Sequence, residues 1–234
     1  MTVLRKYAAE AVGTAMLLIA VVGSGIMAER LSLGNVALAL LANALATGAA
    51  LVALILTFGP VSGAHFNPAV TLADAAIGKL PRRQVPFYVT AQIVGALAGV
   101  AAAHAMFQLP VFSASEHVRS GASQFFSEFV ASFGLLVVIA GCSRFHSAAA
   151  PYAVGAYITG AYWFTSSTSF ANPAVTLARC FTNTFAGIRP IDVPAFVLAQ
   201  LLGAAAATLF FTWLARSQPA PELRMDFEEI GRPQ

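Results

Sequence analysis

Seven residues occur twice in the same order: Asn67-Pro68-Ala69-Val70-Thr71-Leu72-Ala73 and, 105 positions on (172 less 67), Asn172-Pro173-Ala174-Val175-Thr176-Leu177-Ala178. Each copy reads as a helix start. Asn is a preferred N-cap because its side-chain oxygen accepts an orphan backbone N–H, and Pro already carries the φ of the first helical position. Both starts lie inside apolar sequence, away from any polar boundary. Helices that begin there predict half-helices meeting within a membrane, their backbone dipoles aimed at a common point.

The composition agrees. Hydrophobic residues make up 58% of the chain and charged residues 10%, against about 25% charged in soluble domains. A polytopic membrane protein is expected, with residues 1–234 forming one membrane domain. Six spans of about 20 residues leave no room for a soluble domain. The first residues carry Arg5, Lys6 and Glu10, and no small-residue cleavage site follows, which predicts a retained first span. Cys142 and Cys180 match no metal or disulfide spacing and read as small buried hydrophobes. His104, His117 and His146 form no ligand cluster, so no metal or cofactor is implied. No nucleophile, base and orienting acid share a recognisable spacing, which argues against an enzyme. The basic residues serve membrane orientation rather than nucleic-acid binding.

In chain order, residues 11–28 form the first span, extended forward by Tyr7 and Ala8. The next apolar run is too long for one span, and Gly59-Pro60 divides it into a helix over 35–58 and a re-entrant loop. A half-helix over 68–77 follows, then a polar turn with Lys79, Arg82 and Arg83. The third span is 86–108, with Gly95, Gly99 and Ala103 as a stripe for close helix contact. The second half repeats the plan: a span over 125–141, a fifth span ending near Phe164, a re-entrant loop over 165–171, a half-helix over 173–184 and a span over 193–215. Three landmarks recur in order: Glu10 and Glu128, the two boxes, and Gln92-x-x-Gly95 and Gln200-x-x-Gly203. Repeat one covers about 7–108, repeat two about 123–215, and a polar tail 216–234. Three spans per repeat give the repeats opposite orientations.

Basic residues set the orientation. With the N-terminus cytoplasmic, nine of them fall inside: Arg5, Lys6, Lys79, Arg82, Arg83, Arg144, Arg216, Arg224 and Arg232. Arg30, Arg119 and Arg189 fall outside. Both termini are expected in the cytoplasm.

Six spans, an inverted repeat and paired Asn-Pro-Ala boxes resemble the aquaporin and aquaglyceroporin family of membrane channels, over essentially 7–215. The stretch Gly63-Ala64-His65-Phe66-Asn67-Pro68-Ala69-Val70-Thr71 is close to the family's first box. The resemblance implies an all-α fold of six transmembrane helices and two re-entrant half-helices. It also implies homotetramers in a lipid bilayer, here a bacterial inner membrane, with water and small neutral solutes as partners. Facing half-helix N-termini at the membrane centre repel cations and protons. Asn67 and Asn172 would donate N–H bonds to a passing hydroxyl. The carbonyls of Gly63, Ala64, His65 and Phe66, and of Thr168 and Phe170, cannot stay unpaired in lipid and should line the path.

Counting as the family does, the selectivity filter falls on Thr47, Gly160, Ser169 and Val175. Water channels and glycerol facilitators usually carry arginine directly after the second box. Here Val175 stands there, with Arg179 one helical turn on. The filter is therefore expected to be wide, uncharged and mildly polar. Arg179 either reaches back from the outer mouth as a displaced filter arginine, which would make a water-selective pore, or pairs with a loop carbonyl or headgroup. Asp74 is its counterpart in the first repeat. The run 172–188 resembles a bacterial aquaglyceroporin-like branch associated with arsenic handling. That implies passage of water, glycerol-like polyols and neutral metalloid hydroxides such as arsenous acid or methylated arsenicals. Glu10 and Glu128 are expected to anchor the re-entrant loops, against the proton-coupling role open to intramembrane carboxylates. His65 is either a pH gate or a packed residue lending its carbonyl to the path. An ion-coupled transporter and a junction-forming membrane protein remain the competing classes.

Overall fold

The computed structural model describes residues 2–215; the tail expected at 216–234 lies outside the described residues. Among the described residues eight α-helices follow one another: α1 Val3–Leu31, α2 Val36–Ser62, α3 Pro68–Ala76, α4 Val85–Met106, α5 Ala122–Phe145, α6 Ala150–Phe164, α7 Pro173–Arg179 and α8 Val193–Ala215. The first four repeat as the second four. Within each half the first long helix packs on the last, α1 on α4 and α5 on α8. Across the halves α2 packs on α6, and each short helix reaches into the other half, α3 onto α8 and α7 onto α4.

The long-helix pairing rests on absent side chains. A Cβ on Gly95 would collide with the carbonyl oxygen of Ala11, and one on Gly203 with the carbonyl oxygen of Phe129. Ala11 follows Glu10 and Phe129 follows Glu128, so the two close approaches occupy the same place in each repeat. Gly99 makes a third, against the Ala15 carbonyl. Such contacts replace the hydrophobic driving force that apolar lipid cannot supply between helices.

Among the described residues five helices are long and apolar enough to cross a membrane. Helix α6 takes the fifth place, but its 15 residues give about 22 Å, against the roughly 30 Å hydrocarbon core. The half-helices, at 9 and 7 residues, reach about 13 and 10 Å. Neither spans alone, and they meet at their N-termini.

Several boundaries differ from the sequence reading. Helix α2 does not stop at Phe58; it passes through Gly59 and Pro60 to Ser62. Gly63 ends it, at φ +93 with its N–H donating to Gly59 O at 3.0 Å. A left-handed C-cap needs glycine, whereas a proline in the last turn costs only one ladder bond. The second half-helix ends at Arg179 and not at Thr184. The carbonyls of Cys180 and Phe181 accept instead from Ser115 N and Ser113 N, both at 2.9 Å, so the 107–121 loop claims backbone that would have continued the helix. The outer helices also exceed their apolar runs, α1 beginning at Val3 and α5 covering Ala122–Phe145, because polar residues complete turns beyond the apolar stretch.

Candidate functional site

The two loops before the boxes carry the same backbone, residue for residue. Ala64 and Phe66 have φ of +50 and +48, and Ser169 and Ala171, each 105 positions on, have +49 and +48. Left-handed conformations cost non-glycine residues of order 1–2 kcal/mol each. The strain persists because the loops are bonded from behind. Glu10 Oε1 accepts from His65 N at 3.0 Å and Oε2 from Phe66 N at 2.7 Å. Glu128 accepts from Phe170 N and Ala171 N, both at 2.9 Å. Both carboxylates are fully buried. Gln92 Nε2 donates to Glu10 at 2.8 Å and to Thr71 at 2.9 Å; Gln200 Nε2 donates to Glu128 at 2.6 Å and to Thr176 at 2.8 Å. Each glutamine thus ties a loop anchor to the half-helix that follows. The Gln-x-x-Gly landmark carried this signal: its glutamine binds the anchor and its glycine admits the anchor's helix.

The half-helix tips are locked reciprocally. Asn67 caps α3 by accepting from Ala69 N at 2.9 Å, and its amide donates to Ala171 O at 2.8 Å. Asn172 caps α7 by accepting from Ala174 N at 3.0 Å and Val175 N at 3.2 Å, and donates to Phe66 O at 2.7 Å. An asparagine amide has two N–H donors, so each keeps one for the space beside it. Pro68 and Pro173 occupy the first helical positions, and Ala69 and Ala174 are buried against neighbouring helices.

That space is a single cavity of about 180 Å³ touching both loops and both asparagines. At the end where α3 finishes it is bounded by Asp74, Lys79 and Ser143. His65 lies there, its Nε2 3.2 Å from Asp74 Oδ2, its Nδ1 3.1 Å from Thr71 Oγ1 and its ring 5.3 Å from that of Tyr88. At the α7 end the walls are Thr47, Tyr162, Ser169, Val175 and Arg179. Gly63, Ala64, His65, Phe66 and Phe170 line the path as well.

Two sequence expectations fail here. Gly160 is not on the wall; a Cβ there would meet only the Phe164 ring at 3.7 Å. The wall positions of α6 are Val154, Ile158 and Tyr162, spaced four apart on one face, and Gly160 lies about 200° round from Tyr162. Tyr162 therefore stands where an absent side chain was expected, its hydroxyl 3.3 Å from Thr47 Oγ1. Thr168 is likewise off the wall. Its Oγ1 lies 3.4 Å from Arg119 Nη1, and Ala171 takes its place along the path.

The loop before α5 contributes more than a connection. Arg119 Nε donates to Gly187 O at 2.8 Å and Nη1 to Ser167 O at 3.1 Å, while its backbone N–H donates to Asp192 at 2.8 Å. Burial pulls its guanidinium below the ordinary value, with the Glu128 carboxylate opposing. Sequence reasoning counted Arg119 only as an outside charge, since nothing local in 109–123 points to a target 48 residues away in the 165–171 loop.

Reciprocally capped half-helices on a duplicated bundle, enclosing a path between two strained loops, match the major intrinsic protein family, which aligns with residues 1–163. The chain belongs to that family. It is similar to the aquaglyceroporin AqpS of Rhizobium meliloti (strain 1021), with 58% identity over 228 residues covering 97% of each chain. It is also similar to aquaporin NIP6-1 of Arabidopsis thaliana, at 33% identity over 95% of this chain and 73% of that one. The crystal structure of the aquaglyceroporin from Plasmodium falciparum shares the fold, with a TM-score of 0.70 over 90% of this chain and 96% of that one at 22% identity. As a major intrinsic protein the chain is a multi-pass membrane channel and not an enzyme.

Proposed function

We propose that this major intrinsic protein passively conducts small neutral solutes of glycerol size together with water, and neutral metalloid hydroxides such as arsenous acid or methylated arsenicals. The observation that carries the reading is Val175, 4% exposed and on the cavity wall, at the position directly after the second box. An uncharged side chain there puts no donor fork at the position next to the box. A solute with several hydroxyls can then exchange hydrogen bonds with the loop carbonyls and the two asparagine amides as it advances. The aquaglyceroporin name of the Rhizobium relative supports the polyol class.

Tyr162 and Arg179 favour a second reading, a water-selective pore. Both line the α7 end, and together they could narrow it to water. Stopped-flow swelling of proteoliposomes separates the two: glycerol and arsenous acid influx is expected beside water flux, whereas water flux with both solutes excluded overturns the wide-pore reading. Influx should equilibrate without an ion gradient, and accumulation driven by one would indicate a coupled transporter. We place the protein in a bacterial inner membrane as a homotetramer with both termini cytoplasmic; cross-linking in membranes that stops at a dimer would contradict the assembly.

A further inference from the structure

Beside the end of the conduit where α3 finishes lies a second, smaller cavity of about 50 Å³, wedged between α3, α5 and α8. It shares three wall residues with the conduit, Asp74, Lys79 and Ile139. Its depth is apolar and its mouth is charged. Ala73, Leu136 and Ala207 form a buried floor, while Ile77 and Lys79 stand exposed at the opening. Thr208, a polar lining residue, already donates to Ala204 O at 2.8 Å. A space of this size takes about four water-sized groups, the bulk of a short run of methylenes. The charge at the mouth is unbalanced. Asp74 faces His65 Nε2 at 3.2 Å, whereas the Lys79 ammonium makes no ion pair among the described residues. Arg82 and Arg83 follow in the exposed turn. Helix α8 carries no acid, and the acid of α5 is Glu128, bonded to Phe170 N and Ala171 N. An apolar slot under an unpaired ammonium favours an amphiphilic anion over an amphiphilic cation, since the ammonium supplies a charge-assisted donor and the slot takes the chain. The slot admits one narrow chain and not the paired chains of a phospholipid.

We propose that this cleft binds a single-chain carboxylate amphiphile, a medium-chain fatty acid anion from the adjoining leaflet, and that its occupation throttles the conduit. The proposal rests on the channel reading above. The carboxylate accepts from Lys79 Nζ at the mouth, and the chain enters past Ile77 toward Ala207. Two shared walls carry the effect across. Lys79 turns from the conduit to the bound head, which sets a second negative charge near Asp74. Ile139, which bounds both spaces, is pressed toward the conduit by the chain. Solute hydroxyls then meet a narrower and more negative end. The amphiphile itself never enters the path, so the cleft acts as a regulatory site and not as a solute site.

The test is stopped-flow glycerol influx into proteoliposomes of neutral phospholipid near neutral pH, with and without octanoate, each variant being compared with itself. Octanoate is expected to slow wild-type influx several-fold and saturably, while leak through protein-free vesicles stays unchanged. Lys79→Ala should raise the half-inhibitory octanoate concentration about tenfold or more, the worth of one lost charge-assisted hydrogen bond. Ala140→Leu, which fills the cleft and keeps Lys79, should do the same and serves where the lysine variant fails to fold. Octanol and octyltrimethylammonium, of equal chain length, should inhibit far more weakly. Equal inhibition of wild type and Lys79→Ala, or equal potency of the three chains, overturns the site in favour of an effect on the bilayer. Phosphatidylglycerol vesicles that slow wild-type influx as octanoate does would assign Lys79 to a phospholipid headgroup and overturn the fatty acid. Binding is also read apart from flux: brominated octanoate should quench the fluorescence of Trp213 on α8 saturably in the wild type and not in Lys79→Ala. Absence of glycerol influx without any amphiphile would overturn the channel reading, and the quenching then decides the site alone.

Discussion

Val175 is an apolar side chain on the cavity wall, directly after the second box. Replacing it tests the wall directly. Val175→Arg would set a second guanidinium beside Arg179 in a cavity of about 180 Å³. Glycerol influx should fall about tenfold or more while water flux persists, because pore width and lining donors set selectivity; unchanged glycerol influx in stopped flow would remove Val175 from the constriction. Tyr162 is tested against Gly160. Tyr162→Val should raise the glycerol-to-water flux ratio, whereas Gly160→Ala should leave it unaltered, since its Cβ makes only ordinary contact with Phe164. The wall residues beside the boxes lie at fixed offsets from them, whereas those on the long helices, such as Leu17, Leu51 and Leu135, carry no such marker in the sequence. Gly160 was misplaced because the period of α6 puts Val154, Ile158 and Tyr162 on the cavity face and Gly160 away from it.

The paired long helices owe their close approach to three glycines. Gly95→Ala and Gly203→Ala each drive a methyl into a backbone carbonyl of the facing helix. Each should cost about 1–3 kcal/mol, read as a lowered midpoint of thermal unfolding in detergent. Two variants with unshifted midpoints would mean that the helices can separate freely. The helix count was readable from apolar runs and boxes, and the ends were not. Pro60 looked like a terminator, yet the terminator is Gly63, where the chain turns left-handed. Helix α7 looked longer than it is because competition from Ser113 and Ser115 for its carbonyls comes from a loop without regular pattern. Apolar periodicity reports which face is buried, not which loop will claim the last carbonyl.

At the scale of the molecule, the halves hold each other at one point. Asn67 and Asn172 each cap their own helix and bond the other half's loop. Asn67→Asp and Asn172→Asp keep the cap acceptor and remove the amide donor. Each single change should destabilise the fold by about 1–3 kcal/mol, and the double change should depart from additivity by at least about 0.5 kcal/mol because the sites share a contact. Strict additivity in denaturant unfolding would show two independent caps. The sequence displayed the duplication openly, but not that the two copies bond crosswise, since a repeat shows what is copied and not what the copies touch.

The crosswise bond also sets an order of events. The amide of Asn67 finds its acceptor 104 residues later in the chain, on a loop that enters the membrane only when the second half is made. Until then the first loop carries its strained backbone on first-half groups only, Glu10 and Ser62, and α3 has neither α7 nor α8 to pack against. A chain interrupted during synthesis therefore has half a wall and no conduit. For a cell whose membrane must hold its gradients while these proteins are being inserted, completing the polypeptide and opening the path become the same event.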